Sequence, residues 1–268
     1  MLLGKKIRLN RLLSDKSGRD LGVTVDHAMA RGVLKGLEDI RALIGKIVVG
    51  RPDEVTMHKG IADACFDDYA GKVPLVLKVT TFGPTHPKQD VQVTGVEDAM
   101  SYGADAVSAG CIVLGKEQPG QIAQLGRITD EAHRLGLPVV AHIYPRGLED
   151  RAEWHKVENV MYAARLGAEL GVDIIKTTYT GDPDSFARVV ACAPVRVAVA
   201  GGDASTIEDV FSTAWGVIAA GGAGITFGRS VFQAEDPTAF IKTLAQIVHN
   251  GMSVKDALAY YTDSINSK

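Results

Sequence analysis

The fold class this sequence predicts is a single-domain (β/α)8 barrel, and three observations carry that expectation. The chain has 268 residues, close to the usual size of about 250 for such a barrel. Apolar runs of strand length alternate with stretches that carry helix signals, the pattern of βαβ units around a parallel sheet. No linker rich in proline, glycine and serine divides the chain, so residues 1–268 read as one barrel domain. A doubly wound open sheet is the alternative architecture.

Eight candidate strands are read in order: residues 21–26, 54–58, 74–80, 105–109, 138–144, 172–176, 195–200 and 224–227. They are too apolar to alternate cleanly, as expected of strands covered on both faces. Between them, Asp182-Pro183 has the form of an N-cap followed by proline at the first helical position, and Ser205-Thr206-Ile207-Glu208 has the form of a capping box. The longest charge-free run, Val210 to Gly228, approaches the length of a membrane span. Its glycines 216, 221, 222, 224 and 228 make it a helix, a turn and a strand instead.

Composition narrows the function. With 29 basic and 32 acidic residues the net charge is −3, which gives no footprint for nucleic acid or an anionic membrane. The first ten residues carry Lys5, Lys6 and Arg8 without the apolar core of a secretory signal, so the start reads as cytoplasmic. Cys65, Cys111 and Cys192 are odd in number and widely spaced, which suits reduced thiols rather than disulfides or zinc ligands. The seven histidines show no metal-ligand spacing, so neither a metal nor another cofactor is expected.

Polar residues gather at the predicted carboxyl ends of strands, where barrel chemistry belongs. The leading candidate is Lys176, which ends the apolar run Val172-Asp-Ile-Ile-Lys176. A desolvated amine loses proton affinity and becomes a nucleophile able to form a Schiff base. A strand-end lysine that snorkels into water is the structural alternative. In Val140-Ala-His142-Ile-Tyr144 the period of two puts His142 and Tyr144 on one face, read here as facing the barrel mouth. Each also has a plain reading as a buried polar residue bonded to backbone. Lys78 reads as a second cation at the site or as a paired core lysine. Gly201-Gly202 after the seventh strand and Gly228-Arg229 after the eighth sit where barrels often bind phosphate.

The residues also carry a resemblance. Asp26-His27, His58-Lys59-Gly60, Gly103-Ala-Asp105-Ala106-Val, Tyr144-Pro-Arg146-Gly147, Asp173-Ile-Ile-Lys176-Thr-Thr-Tyr-Thr-Gly181-Asp182, Ala200-Gly-Gly202 and Gly228-Arg229 follow one another over nearly the whole chain. In that order they resemble the archaeal-type class I fructose-bisphosphate aldolases and the related 2-amino-3,7-dideoxy-D-threo-hept-6-ulosonate synthases. The resemblance implies that Lys176 forms the Schiff base with a phosphorylated ketose, that Tyr144 is the acid/base of carbon–carbon cleavage and that Asp26 assists proton transfer. His27, Lys78, His142, Arg146, Gly201, Gly202, Gly228 and Arg229 are the expected substrate-binding residues. The resemblance also implies a homo-oligomer, specifically a decamer.

Three departures from the family pattern stand out. Asp26-His27 continues with Ala28 where glycine is usual. Asp203-Ala204 follows the glycine pair where Pro-Lys is usual, which removes a cation from the place a second phosphate would occupy and favours a substrate with one phosphate, or with a smaller neutral aldehyde half, over fructose 1,6-bisphosphate. Finally, Lys78-Val-Thr-Thr-Phe-Gly-Pro84 with His86-Pro87 reads as a proline-bearing loop that shapes aldehyde specificity. The competing functions are a transaldolase-type synthase or an acyl-transferring thiolase using the same lysine, a metal-dependent aldolase, and a non-catalytic barrel that binds a phosphorylated ligand.

Overall fold

In the computed structural model, which describes residues 2–14, 16–202 and 206–267, ten strands follow in chain order: β1 (Asp20–Thr24), β2 (Glu54–Met57), β3 (Leu75–Lys78), β4 (Thr80–Gly83), β5 (His86–Gln92), β6 (Ala106–Ile112), β7 (Val139–Tyr144), β8 (Ile174–Thr177), β9 (Arg196–Ala200) and β10 (Gly224–Phe227). Eight of them close into a parallel barrel in the order β1-β10-β9-β8-β7-β6-β3-β2. Each contains or overlaps one of the eight apolar runs. The fold is a (β/α)8 barrel, and the open sheet is excluded because β1 pairs with both β10 and β2.

The helices are α1 (Leu3–Leu12), α2 (His27–Arg31), α3 (Ile40–Gly50), α4 (Lys59–Cys65), α5 (Val96–Ser101), α6 (Gln118–Leu135), α7 (Val157–Glu169), α8 (Pro183–Cys192), α9 (Ile207–Ala219), α10 (Arg229–Phe232), α11 (Pro237–Asn250) and α12 (Val254–Asn266). Asp182 caps α8 by accepting from the Ser185 amide at 2.9 Å, with Pro183 next to it as the sequence predicts. The box before α9 is shifted by one residue. Thr206 and Asp209 exchange side-chain-to-amide bonds of 3.1 Å, so the motif read at Ser205–Glu208 is realised one position later; Ser205 itself lies outside the described residues. Val210 to Gly228 is the anticipated helix, turn and strand. No helix among the described residues is long and apolar enough to cross a membrane.

Two features depart from the expectation. The loop after β3 is an antiparallel hairpin, β4 paired with β5, laid across the barrel mouth. Its second strand, His86-Pro87-Lys-Gln-Asp-Val-Gln92, has no apolar run, and a proline demotes such a run as a strand signal. The charged N-terminal segment is helix α1, which plugs the bottom of the barrel. Leu9 and Leu12 are buried against Val76, Ala106, Val140, Ile174 and Ala198, the lowest inward layer of the barrel. Burial of each such leucine contributes about 1.5–3 kcal/mol. The basic residues of α1 fasten it from the rim: Lys5 to Asp173 at 2.8 Å, Arg11 to Asp105 at 3.0 Å and Arg8 to the Gly136 carbonyl at 3.0 Å.

Candidate active site

Two residues above the apolar layer, the inward face of the barrel turns polar. Period-two alternation makes Val76 and Lys78, Ala106 and Ser108, Val140 and His142, and Ile174 and Lys176 successive inward positions of their strands. Lys176 is 5% exposed and pairs in register with His142 on β7 and Ala198 on β9. Burial lowers its amine to about 8, Asp26 and Glu54 oppose the shift, and Lys78 reinforces it. At neutral pH roughly a tenth of such amines are uncharged, against fewer than about one in a thousand for an ordinary lysine. The geometry excludes the snorkelling alternative.

Strand β1 stops at Thr24, and Asp26 lies just past it as the residue preceding α2. Burial alone would raise its carboxyl; the fields of His27, Lys78 and Lys176 outweigh that and leave it below the ordinary range. Its neighbour His27 lies 3.4 Å away through Nδ1 and is pulled by burial to about 4, so at neutral pH the contact is that of a carboxylate with a neutral imidazole. Tyr144 closes β7. Burial raises its phenol above the ordinary value, and the Arg146 guanidinium stacks 4.3 Å from its ring centroid.

Lys78, buried at the end of β3, donates to His142 Nδ1 at 3.2 Å. A lysine ammonium offers only donors, which leaves the ring proton on Nε2 for Ser108 at 3.0 Å. Burial and the two lysines hold this imidazole well below its ordinary value. Lys78 is therefore partnered, but by histidine rather than by a carboxylate.

The two glycine turns meet where the sequence places them. Arg229 donates to the Gly202 carbonyl at 2.6 Å and ties one turn to the other. Gly202 has φ +61, a region that side-chain-bearing residues avoid. At Gly228 a methyl group would overlap the His27 ring and Thr24. Together with Thr226 and Ser230 these residues line a cavity of about 70 Å³ that Lys176, Tyr144 and Arg146 border. Asp203 and Ala204 lie outside the described residues. A second cavity of about 90 Å³ adjoins the first and contains Asp26, Lys78, His142, Tyr144 and Lys176. The largest concavity, about 1110 Å³, lies at the opposite end beside α1 and contains none of these side chains.

Sequence reasoning missed three acids. Asp90 of β5 enters the mouth cavity. Glu54 opens β2 inside the barrel, where its carboxyl fills the space a side chain at Gly22 would need. Burial raises it to about 8, although it accepts from Thr56 Oγ1 at 2.9 Å. Asp20 is buried and raised as well, first by burial and then by Glu54. An acid heading an apolar run was a visible signal for Glu54; Asp90 had none.

A desolvated lysine at the mouth of a (β/α)8 barrel, with a carboxylate, a phenol and a glycine-lined anion cradle around it, defines an imine-forming barrel enzyme. The comparisons agree with that class. The pattern of the DeoC/LacD family aldolases matches residues 20–234. A 2-amino-3,7-dideoxy-D-threo-hept-6-ulosonate synthase of Halobacterium salinarum is 37% identical over 259 residues, 96% of either chain. An archaeal fructose 1,6-bisphosphate aldolase superposes with TM-score 0.85 at 31% identity, covering 92% of this chain and 100% of its own. A structure of such an aldolase with its catalytic lysine bound to the carbinolamine intermediate gives 0.84 at 31% identity, over 91% and 99% of the two chains. The chain belongs to the DeoC/LacD aldolase family.

Proposed function

We propose that this enzyme makes or breaks a carbon–carbon bond in a phosphorylated ketose through an imine on Lys176. The observation that carries the reading is the position of that buried amine on the shared border of the mouth cavity and the glycine cradle. A ketose phosphate with its phosphate in the cradle presents its carbonyl to the amine. The neutral amine adds to that carbonyl, the carbinolamine hydroxyl takes up a proton from solvent and leaves as water, and a protonated imine remains. When the adjacent carbon–carbon bond breaks, its electron pair moves into the imine to form an enamine, and an aldehyde departs. Tyr144, held as a phenol, gives its proton to the aldehyde oxygen in the condensing direction and takes it back in cleavage. Asp26, held as a carboxylate, exchanges the proton at the enamine carbon.

The substrate carries one phosphate rather than two. The sequence has Asp203-Ala204 where a lysine would hold a second phosphate, and a carboxylate there repels a dianion. The halobacterial relative is named a synthase, which supports bond formation as the direction of the reaction. Assembly as a homo-oligomer belongs to the same reading.

The deciding experiment is borohydride reduction of the protein mixed with dihydroxyacetone phosphate, with mass spectrometry of the peptides. A covalent gain on Lys176, increasing with pH up to about 8, supports the reading. No gain turns the protein into a barrel that only binds its ligand. Efficient cleavage of fructose 1,6-bisphosphate at low micromolar substrate removes the single-phosphate preference.

A further inference from the structure

We propose that Asp90 is the specificity residue for the second substrate: it holds a hydrogen-bond donor, a hydroxyl or an ammonium group, on the aldehyde that joins the imine-bound fragment. This inference rests on the imine reading above.

The first ground is inverted burial. Within β5 Asp90 is the one buried residue, 5% exposed, while its neighbour Val91 is 45% exposed. Stability alone selects the reverse, since a buried acid is costly and an exposed valine gains nothing.

The second ground is construction. The Thr80 hydroxyl accepts from the Gly110 amide at 2.7 Å and donates to Asp90 Oδ1 at 2.9 Å. The Asp90 carbonyl is held by Gln121 at 3.0 Å and Gln124 at 3.3 Å from α6. The carboxyl lies over the Gly110 backbone so closely that any side chain there would displace it. The hairpin strand is thus fixed to the barrel around this acid, with Gln92 and Lys88 adding bonds to Gln124 and to the Gly147 carbonyl. One carboxyl oxygen is satisfied, and no protein donor among the described residues reaches Oδ2.

The third ground is placement. Asp90 borders the mouth cavity and not the glycine cradle, while Lys176 and Tyr144 border both. A donor fragment with its phosphate in the cradle and its carbonyl carbon on Lys176 leaves the Asp90 side for the incoming aldehyde. The two site acids also differ in character: Asp26 is held below the ordinary range by nearby cations, whereas burial raises Asp90. Divergent environments give two carboxyls different roles. An aldehyde lacking a donor would leave Oδ2 desolvated and unpaired.

The test compares acceptors that differ only at the carbon next to the aldehyde: 2-hydroxypropanal, 2-aminopropanal and propanal, each condensed with dihydroxyacetone phosphate. The unaltered protein should favour at least one of the first two over propanal in kcat/KM by about 10- to 100-fold, the scale of a hydrogen bond to a carboxylate. Asp90→Ala should bring that ratio close to one while leaving borohydride trapping of dihydroxyacetone phosphate on Lys176 at its original level. Asp90→Asn should keep part of the preference for a hydroxyl and lose the preference for an ammonium group, which separates the two sources of the donor. Gly110→Ala, which moves the carboxyl without deleting it, should lower the ratio as well. Intact trapping with unchanged ratios in both Asp90 variants overturns the inference alone, as does trapping that falls in step with both acceptors. Absence of trapping in the unaltered protein overturns the imine reading and this inference with it.

Discussion

The lower and upper halves of the barrel interior are built from the same strands and have opposite character. At the bottom, Val76, Ala106, Val140, Ile174 and Ala198 close on Leu9 and Leu12 of α1. One inward position further, about 7 Å along each strand, Lys78, Ser108, His142 and Lys176 form a polar layer. The apolar floor closes the barrel from below, and Lys176 lies buried in the polar layer above it. The difference teaches that the same strands can carry a packed, stabilising base and a reactive mouth as separate layers.

The comparison can be broken from either side. Lys176→Met should have the largest effect, abolishing reductive trapping altogether while leaving circular dichroism unchanged. Tyr144→Phe should preserve trapping and lower turnover by about 10²- to 10⁴-fold, the usual contribution of a general acid/base. On the lower side, Leu12→Ala should lower unfolding stability by about 2–5 kcal/mol, the cost of emptying a packed site, measurable as an earlier urea midpoint. Per folded molecule, trapping should stay close to normal. If trapping falls much further than folding does, the floor and the mouth are more tightly coupled than packing alone requires.

The smallest effect concerns Glu54, the buried acid that opens β2 inside the barrel. Its carboxyl is raised from an ordinary 4.5 to about 8 in the fold, so between those values the folded chain keeps a proton that the unfolded chain releases. Its contribution to stability is complete below pH 4.5 and declines as pH rises through 8. Glu54→Gln mimics the protonated form and should flatten that decline, read as a smaller difference between urea midpoints at pH 5 and pH 8.

The upper and lower halves were also unequally legible in the sequence. The eight barrel strands showed because residues buried on both faces write continuous apolar runs. His142, Tyr144 and Lys176 showed because each interrupts such a run at its carboxyl end. The β5 strand did not, since His86, Pro87 and Gln89 are exposed, Lys88 is partly so, and its buried residue is an acid. Helix α1 did not either: its two buried leucines sit among Lys5, Lys6, Arg8 and Arg11, and a plug is recognisable only with the hole it fills. The capping motif before α9 was legible in kind but not in position, because Ser205-x-x-Glu208 and Thr206-x-x-Asp209 overlap and only the helix start chooses between them.

The mooring of α1 has a consequence for synthesis. The helix leaves the ribosome before Asp105, Gly136 and Asp173, which hold it. Until the barrel strands are made its leucines have no seat, so closure at that end of the molecule is a late event, and a segment made before the barrel is among the last to dock.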